Sequence, residues 1–324
     1  MEVEYTIRRV RKTPFEELSF TDNCTLGPLN KPVATVKPGE VIEVETWDCF
    51  ANVVKPTQPL KEVLERGVPL HDNPVTGPIH VEGAEAGDAL VIEIIDISIP
   101  DMGVTTVVPG FGGLEGWLQA SPPLTKFSKI RDGKVVYTLN DGREIEIPVK
   151  PFIGTIGLSP SSEAISTITP GKHGGNMDVP DICPGNRLYL PVAVKGALLG
   201  LGDVHAVQGD GEICGTAIEI PSVVTMKIDL IKNKRIDWPR IESPDEIMTV
   251  SSARPLEDAV RFAFLELIKW LEDAYGFERY DAYMFLSVAA KARLAQIVDP
   301  LFTVVAKVPK TLLPRALTTS QHTS

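Results

Sequence analysis

The sequence predicts a mainly β protein: a sandwich- or barrel-like β unit over residues 1–250, with a smaller helical, α+β C-terminal portion over 251–324 packed on it. Two observations predict it. Most of the 27 prolines fall before residue 230, between short β-branched runs such as Val41–Thr46, Ala89–Ile97 and Val135–Leu139, and short strands between Gly/Pro turns are the mark of stacked or closed antiparallel sheets. Near Ser251 the pattern changes, and apolar residues begin to recur at helical spacing. At 324 residues and 43% hydrophobic the chain can bury a large core.

Taken in order, the basic run Arg8, Arg9, Arg11, Lys12 suits an edge strand or a solvated surface. Asn140-Asp141-Gly142, between Val135–Leu139 and Glu144–Val149, predicts a hairpin on a left-handed Asp-Gly turn. The alternation Glu144-Ile-Glu-Ile-Pro148 predicts one face in water. Pro255 suits a helix first turn, and Leu256, Val260, Ala263, Phe264, Leu267, Leu271 and Ala274 form a stripe that Gly276 stops. A second helix is expected from Asp281, with Tyr283, Met284, Val288 and Leu294 on one side, then a strand over Phe302–Val308. Packing against the β unit is the expected use of both stripes. The polar tail 318–324 is expected to fray, leaving His322 out of any chemistry.

The formal charge of −11 repels phosphate backbones, so no nucleic-acid partner is expected. No apolar stretch reaches signal or spanning length, which predicts a cytoplasmic protein with no membrane partner. Cys24, Cys49, Cys183 and Cys214 are scattered without a Cys-x-x-Cys pair, so small buried thiols are expected rather than disulfides or a thiolate zinc knuckle.

Residues able to do chemistry concentrate in four segments. The first, Glu45–Asn52, holds Asp48 and Cys49. In the second, Asn73–Asp88, His80 and Glu82 lie two apart in an extended stretch and leave one face, as a ligand or base pair would. A hydrogen-bonded structural histidine fits that pair equally well. The third, Pro160–Asp178, joins Glu163 to His173-Gly-Gly-Asn176, where glycines allow close backbone approach and an Asn amide can steady an oxyanion. The fourth, Gly200–Glu219, is the densest: Asp203 and His205, then Asp210 and Glu212, repeat the two-residue spacing beside Gln208. Imidazole and carboxylate on one surface are ligands for first-row metals, zinc above all.

With these segments in view, the chain resembles the acetamidase/formamidase family from about Asn73 to Asp299. The stretches that carry the resemblance are Thr76-Gly-Pro-Ile-His-Val-Glu-Gly-Ala-Glu85, Pro151-Phe-Ile-Gly-Thr-Ile-Gly-Leu158, His173-Gly-Gly-Asn-Met-Asp178 and Leu199-Gly-Leu-Gly-Asp-Val-His-Ala-Val-Gln-Gly-Asp-Gly-Glu212. The resemblance implies a mostly β architecture with a small α/β portion, hydrolysis of short aliphatic amides such as acetamide or formamide, and a homo-oligomer, dimer or higher.

Two chemistries are open for such a reaction. In the first, a zinc-type ion held by some of Asp48, His80, Asp203 and His205 activates water, and Glu82, Glu163 or Glu212 shuttles the proton. Here His173 and Asn176 belong to the catalytic set, and calcium has room at a second site. In the second, Cys49 beside Asp48 is the nucleophile, acting on a larger amide; hydrolysis of a cyclic imide would share the site and differ only in pocket size. A non-catalytic, metal- or small-ligand-binding β protein is the remaining class, and three histidines, His80, His173 and His205, suit an all-oxygen calcium cage poorly. Metal-assisted hydrolysis is the reading preferred.

Overall fold

The structure is a computed structural model that describes residues 7–118 and 121–317; the polar tail and His322 lie outside them. The backbone is 38% strand and 15% helix. Among the described residues the strands form two large sheets and one short pairing, and no sheet closes on itself, so the expectation of a barrel is not met.

One sheet has nine strands, in the order Arg8–Val10, Val41–Thr46, Ser222–Ile231, Ala89–Ser98, Arg187–Pro191, Arg240–Glu242, Glu246–Ala253, Phe302–Pro309 and Lys291–Gln296. The basic run does sit at its edge, where the Arg9 guanidinium donates to Glu43 at 2.7 Å. The other has ten. Its path runs Glu144–Pro148, Lys134–Thr138, Leu124–Arg131, Met102–Val107, Glu219–Ile220, Leu199–His205, Phe152–Gly157, Gly174–Asn176, and Thr76–Val81 also pairs Leu199–His205 while carrying Ala34–Val36. Both sheets contribute to one buried apolar cluster: Ile42, Leu90, Ile92 and Met226 from the first, Ile79, Ile153, Ile156 and Leu201 from the second. Val41–Thr46 alternates accordingly, while Leu199–His205 is buried at every residue because strands flank it on both edges.

The chain passes from one sheet to the other at Pro221, between Glu219–Ile220 and Ser222–Ile231. Proline has no N–H to continue a ladder. Beyond the junction the Ser222 and Thr46 hydroxyls meet at 2.8 Å. Asp203 N–H then reaches the Trp47 carbonyl at 3.3 Å, and Glu219 pairs with His205 across the ten-stranded sheet. This seam brings Cys49, Asp203, His205 and Glu219 together.

The long helix Leu256–Tyr275 ends on Gly276 in the left-handed conformation, φ 69°, as its stripe predicts, and Ala263, Leu267 and Leu271 pack with Ile247, Val304 and Val308. The second helix runs Arg279–Ala289 under a Glu278 cap rather than from Asp281. Its expected inner side faces outward. Tyr283, Met284 and Val288 are exposed, Ala282 and Leu286 are buried, and Leu294 belongs to the strand Lys291–Gln296. In the hairpin only Gly142 is left-handed, φ 85°; Asp141 instead accepts the Arg143 N–H at 3.1 Å. Glu144–Pro148 ends its sheet and buries no residue, with Ile145 exposed and Ile147 half-buried. All four cysteines are free, Cys24 buried and Cys49, Cys183 and Cys214 half-buried. No helix among the described residues is long and apolar enough to cross a membrane.

Candidate active site

His205 stands at the centre. Its Nε2 lies 3.3 Å from Asp203 Oδ1, 3.0 Å from Glu219 Oε2 and 4.0 Å from Glu212 Oε1. Its Nδ1 is 2.9 Å from Gln208 Oε1. The Gln208 amide nitrogen donates to the carbonyls of Asp178 and Ala295, each at 3.0 Å, so Oε1 is the acceptor and Nδ1 carries the hydrogen. Gln208 thereby aims Nε2 at the carboxylates.

Asp203, Glu212 and Glu219 face that nitrogen, and Asp178 and Asp299 extend the cluster, all five buried. Burial, reinforced by the like charge of Asp203, pushes Glu219 up to about 8 and Asp178 up to about 6. Burial and Asp178 raise Glu212 and Asp299 well above the carboxylate range. Burial opposes the charges of Asp203 and His205 too, but their attraction outweighs it, with Asp203 held low and His205 raised by Glu219 and Asp203 together. Both Asp178 oxygens and Glu219 Oε2 are buried with no hydrogen-bond donor aligned on them. Polar atoms left so in a folded core are rare, and an anionic cluster of this kind is built for a cation or for held protons.

An amide network fixes the far side. Asn73 Nδ2 donates to Asp203 Oδ2 at 2.9 Å and to Thr155 Oγ1 at 3.2 Å, Thr155 Oγ1 donates to Asn176 Oδ1 at 2.5 Å, and Asn176 Nδ2 donates to Asp299 Oδ2 at 2.9 Å. The local backbone is unusual: Asn73, Asp178, Asp203 and Glu212 are all left-handed, with φ of 45° to 53°. Such residues are sparse outside glycine, cost on the order of 1–3 kcal/mol each, and gather at working sites.

This floor closes a cavity of about 290 Å³ whose other walls are apolar, among them Phe50, Leu60, Leu70, Val108, Phe111 and Ile168. Two triads could hold a metal ion. In Cys49–Asp203–Glu219 and in Asp178–His205–Glu212 one ligand atom per residue lies within 4.8 Å of the others. All three members of the first line the cavity. Burial, then the charges of Glu219 and Asp203, push the Cys49 thiol well above its ordinary range, so without a cation it is a poor nucleophile.

Of the residues expected from sequence, the structure brings together Asp203, His205, Glu212 and Asn176. Asp48 is one step removed. It is buried, its Oδ1 accepts the N–H groups of Phe50 and Asn52 at 3.0 and 2.6 Å, and it thus shapes the turn that presents Cys49. His80, Glu82, Glu163 and His173 are elsewhere. His80 packs against Gly196, with Nδ1 buried and unpartnered, and Glu82 is exposed on the following turn. Glu163 and His173 line a separate cavity, where burial pushes the histidine down to about 4. Gly174 and Gly175 pair with Ile156 and Gly157 in the ten-stranded sheet and are not among the cavity walls. Unforeseen were roles for Asn73, Thr155, Asp178, Gln208, Glu219 and Asp299. Five of them stand in the quoted segments and motif stretches, whereas Asp299, in the loop between Lys291–Gln296 and Phe302–Pro309, has no local signature.

Fold and site together define a β-rich protein with a small-molecule cavity, walled by hydrocarbon and floored by carboxylates around one imidazole. The chain belongs to the Acetamidase/Formamidase family, whose model matches residues 27–166 and 161–314. It is 30% identical to the formamidase of Methylophilus methylotrophus over 62% of this chain, and 29% identical to the acetamidase of Mycolicibacterium smegmatis over 61%. The matched stretches span 62% and 63% of those two proteins' own lengths. Among solved structures, the acetamidase from Yersinia enterocolitica is 40% identical with a TM-score of 0.86, covering 95% of this chain and 93% of that one.

Proposed function

We propose that this protein hydrolyses a short aliphatic carboxamide to carboxylate and ammonia, by water activated at a divalent metal. The observation that carries the reading is the buried carboxylate and imidazole floor of the cavity, in a chain of this family. The residues fit such an ion: Glu219 Oε2 makes no aligned hydrogen bond, and Cys49, Asp203 and Glu219 offer thiol and carboxylate ligands of zinc type facing the cavity, with Asp178, His205 and Glu212 as a second candidate set. When bound, such an ion supplies a water of lowered pKa and polarises the amide carbonyl.

The chain's own residues do the rest. Gln208 holds the His205 ring through Nδ1, and Nε2 in turn faces Asp203 and Glu219. Glu212 lines the cavity with its carboxyl raised well above the carboxylate range by burial, so it holds a proton to give to the departing ammonia and regains one from the attacking water. One hydrogen of the Asn176 amide is committed to Asp299, and the other is available to a carbonyl oxygen. The hydrocarbon walls exclude bulk water and strengthen these interactions.

The test is ammonia release from formamide, acetamide, propionamide and urea, with and without chelator. Release from the carboxamides that chelator suppresses supports the reading. Full release under exhaustive chelation moves the weight to the cysteine scheme, and no release from these or from larger amides moves it to the non-catalytic class. We also propose a cytoplasmic homo-oligomer; the exposed stripe Tyr283, Met284, Val288 offers a second copy apolar surface to cover.

A further inference from the structure

We infer that the preferred substrate carries a bulky apolar acyl group of about four to seven carbons, a branched chain or ring rather than a formyl or acetyl group. The inference rests on the amide-hydrolase reading and adds the acyl group to it.

The cavity measures about 290 Å³, whereas an apolar cavity of about 150 Å³ already admits benzene. An amide group seated on the polar floor therefore leaves room for something the size of a ring. The hydrocarbon and the strand-borne part of the floor come from different elements, with Asn73, Glu212 and Asp299 joining the floor from loops. The floor residues Asn176, Asp203, His205 and Glu219 come from strands of the ten-stranded sheet, while the hydrocarbon comes from chain outside those strands: Phe50, the short helix Leu60–Glu65, Leu70, Val108, Phe111 and Ile168. Acetamide on the floor would leave most of the volume to water against leucine and phenylalanine side chains, and displacing that water is the gain an apolar acyl group offers.

The hydrocarbon is held in place rather than loosely folded over the site. Phe50 and Leu60 are buried in a satellite core with Val54, Val63 and Val104, and Leu70 and Val108 pack against it. The Phe111 ring lies directly over Gly215, where any side chain would collide with it, and Gly215 holds φ 86°. A wall fixed by packing keeps its volume when the substrate is small, so the cavity cannot collapse onto acetamide.

The test is kcat/KM for formamide, acetamide, butyramide, hexanamide, cyclohexanecarboxamide and benzamide, with protein carrying the metal it is purified with. The value should rise about fourfold per added methylene, so hexanamide exceeds acetamide by about a hundredfold or more. Phe111→Ala, which removes a wall, and Val108→Phe, which fills the space, should each lower the ratio of hexanamide to acetamide about tenfold. Thermal melts of both variants establish that they fold. Acetamide turned over as well as or better than every longer amide would overturn the inference while leaving the hydrolase reading in place. A ratio unmoved in both folded variants would overturn it as well, and no ammonia from any amide would remove the reading and the inference together.

Discussion

Gly154 has hydrogen where any other residue has carbon, and at this position that carbon would lie 2.6 Å from the Asp203 carbonyl oxygen and 2.7 Å from Asp178 Oδ1. Neither neighbour can retreat, since one is backbone and the other is fully buried. Gly154→Ala is therefore expected to lower stability by about 1–3 kcal/mol and to displace the carboxylates, which denaturant titration together with metal content will show. Gln208 acts through His205. Gln208→Leu should keep the fold yet lower metal affinity or kcat about 10–100-fold, read from metal titration and steady-state kinetics; unchanged values would detach Gln208 from the site. His173 offers a pH test away from the cluster. Burial holds its folded pKa at about 4 against 6.5 when unfolded, so the unfolded chain binds the extra proton and stability falls as pH drops from 6.5 to 4. That shift corresponds to about 3 kcal/mol. Wild type should lose that much more than His173→Asn over this window, and equal losses would show His173 to be protonated in the fold. The residues that can do chemistry are visible in the sequence, but which of them meet is not. Two-residue spacing places His80 with Glu82 and Asp203 with His205 by the same rule, yet only the second pair lies where the sheets join. The rule states that two side chains share a face, not what that face meets.

Periodicity behaves in the same way for whole elements. The stripe ending at Gly276 is legible because it combines a full helical face with a left-handed stop, and Leu256–Tyr275 buries that face against Ile247 and Val308. The second helix has a stripe just as apolar, but Ala282 and Leu286 are the side chains turned inward, leaving Tyr283, Met284 and Val288 in solvent. Apolar spacing marks a face for burial without saying whether the partner is the same chain. The homo-oligomer proposal gives that face a use. Met284→Glu combined with Val288→Glu should reduce the particle to one chain in light scattering while leaving the melting temperature of the monomer's own core little changed. An assembly of unaltered mass would place the interface elsewhere. Glu144–Pro148 shows the converse, an alternation that looks half-buried in sequence but ends its sheet with Ile145 exposed.

At the scale of the molecule, the site is assembled from parts that no single stretch of sequence contains. The nine-stranded sheet delivers Cys49 from the end of Val41–Thr46, and the ten-stranded sheet delivers Asp203, His205 and Glu219. The C-terminal portion delivers Asp299, whose N–H is held by Gln296 at 3.0 Å. Asp299 therefore escapes any reading that confines chemistry to residues before 250. The same convergence leaves an anionic cluster whose charges must be relieved, by protons or by a cation, before the core can be stable. Which of the two relieves the cluster decides the chemistry, and stripping and restoring metal distinguishes them, by elemental analysis and ammonia release on one preparation. Metal-activated water requires about one divalent ion per chain as purified, loss of ammonia release on its removal, and recovery when zinc is returned; full release from protein shown to be free of metal would leave the cluster relieved by protons alone and rule out metal-activated hydrolysis.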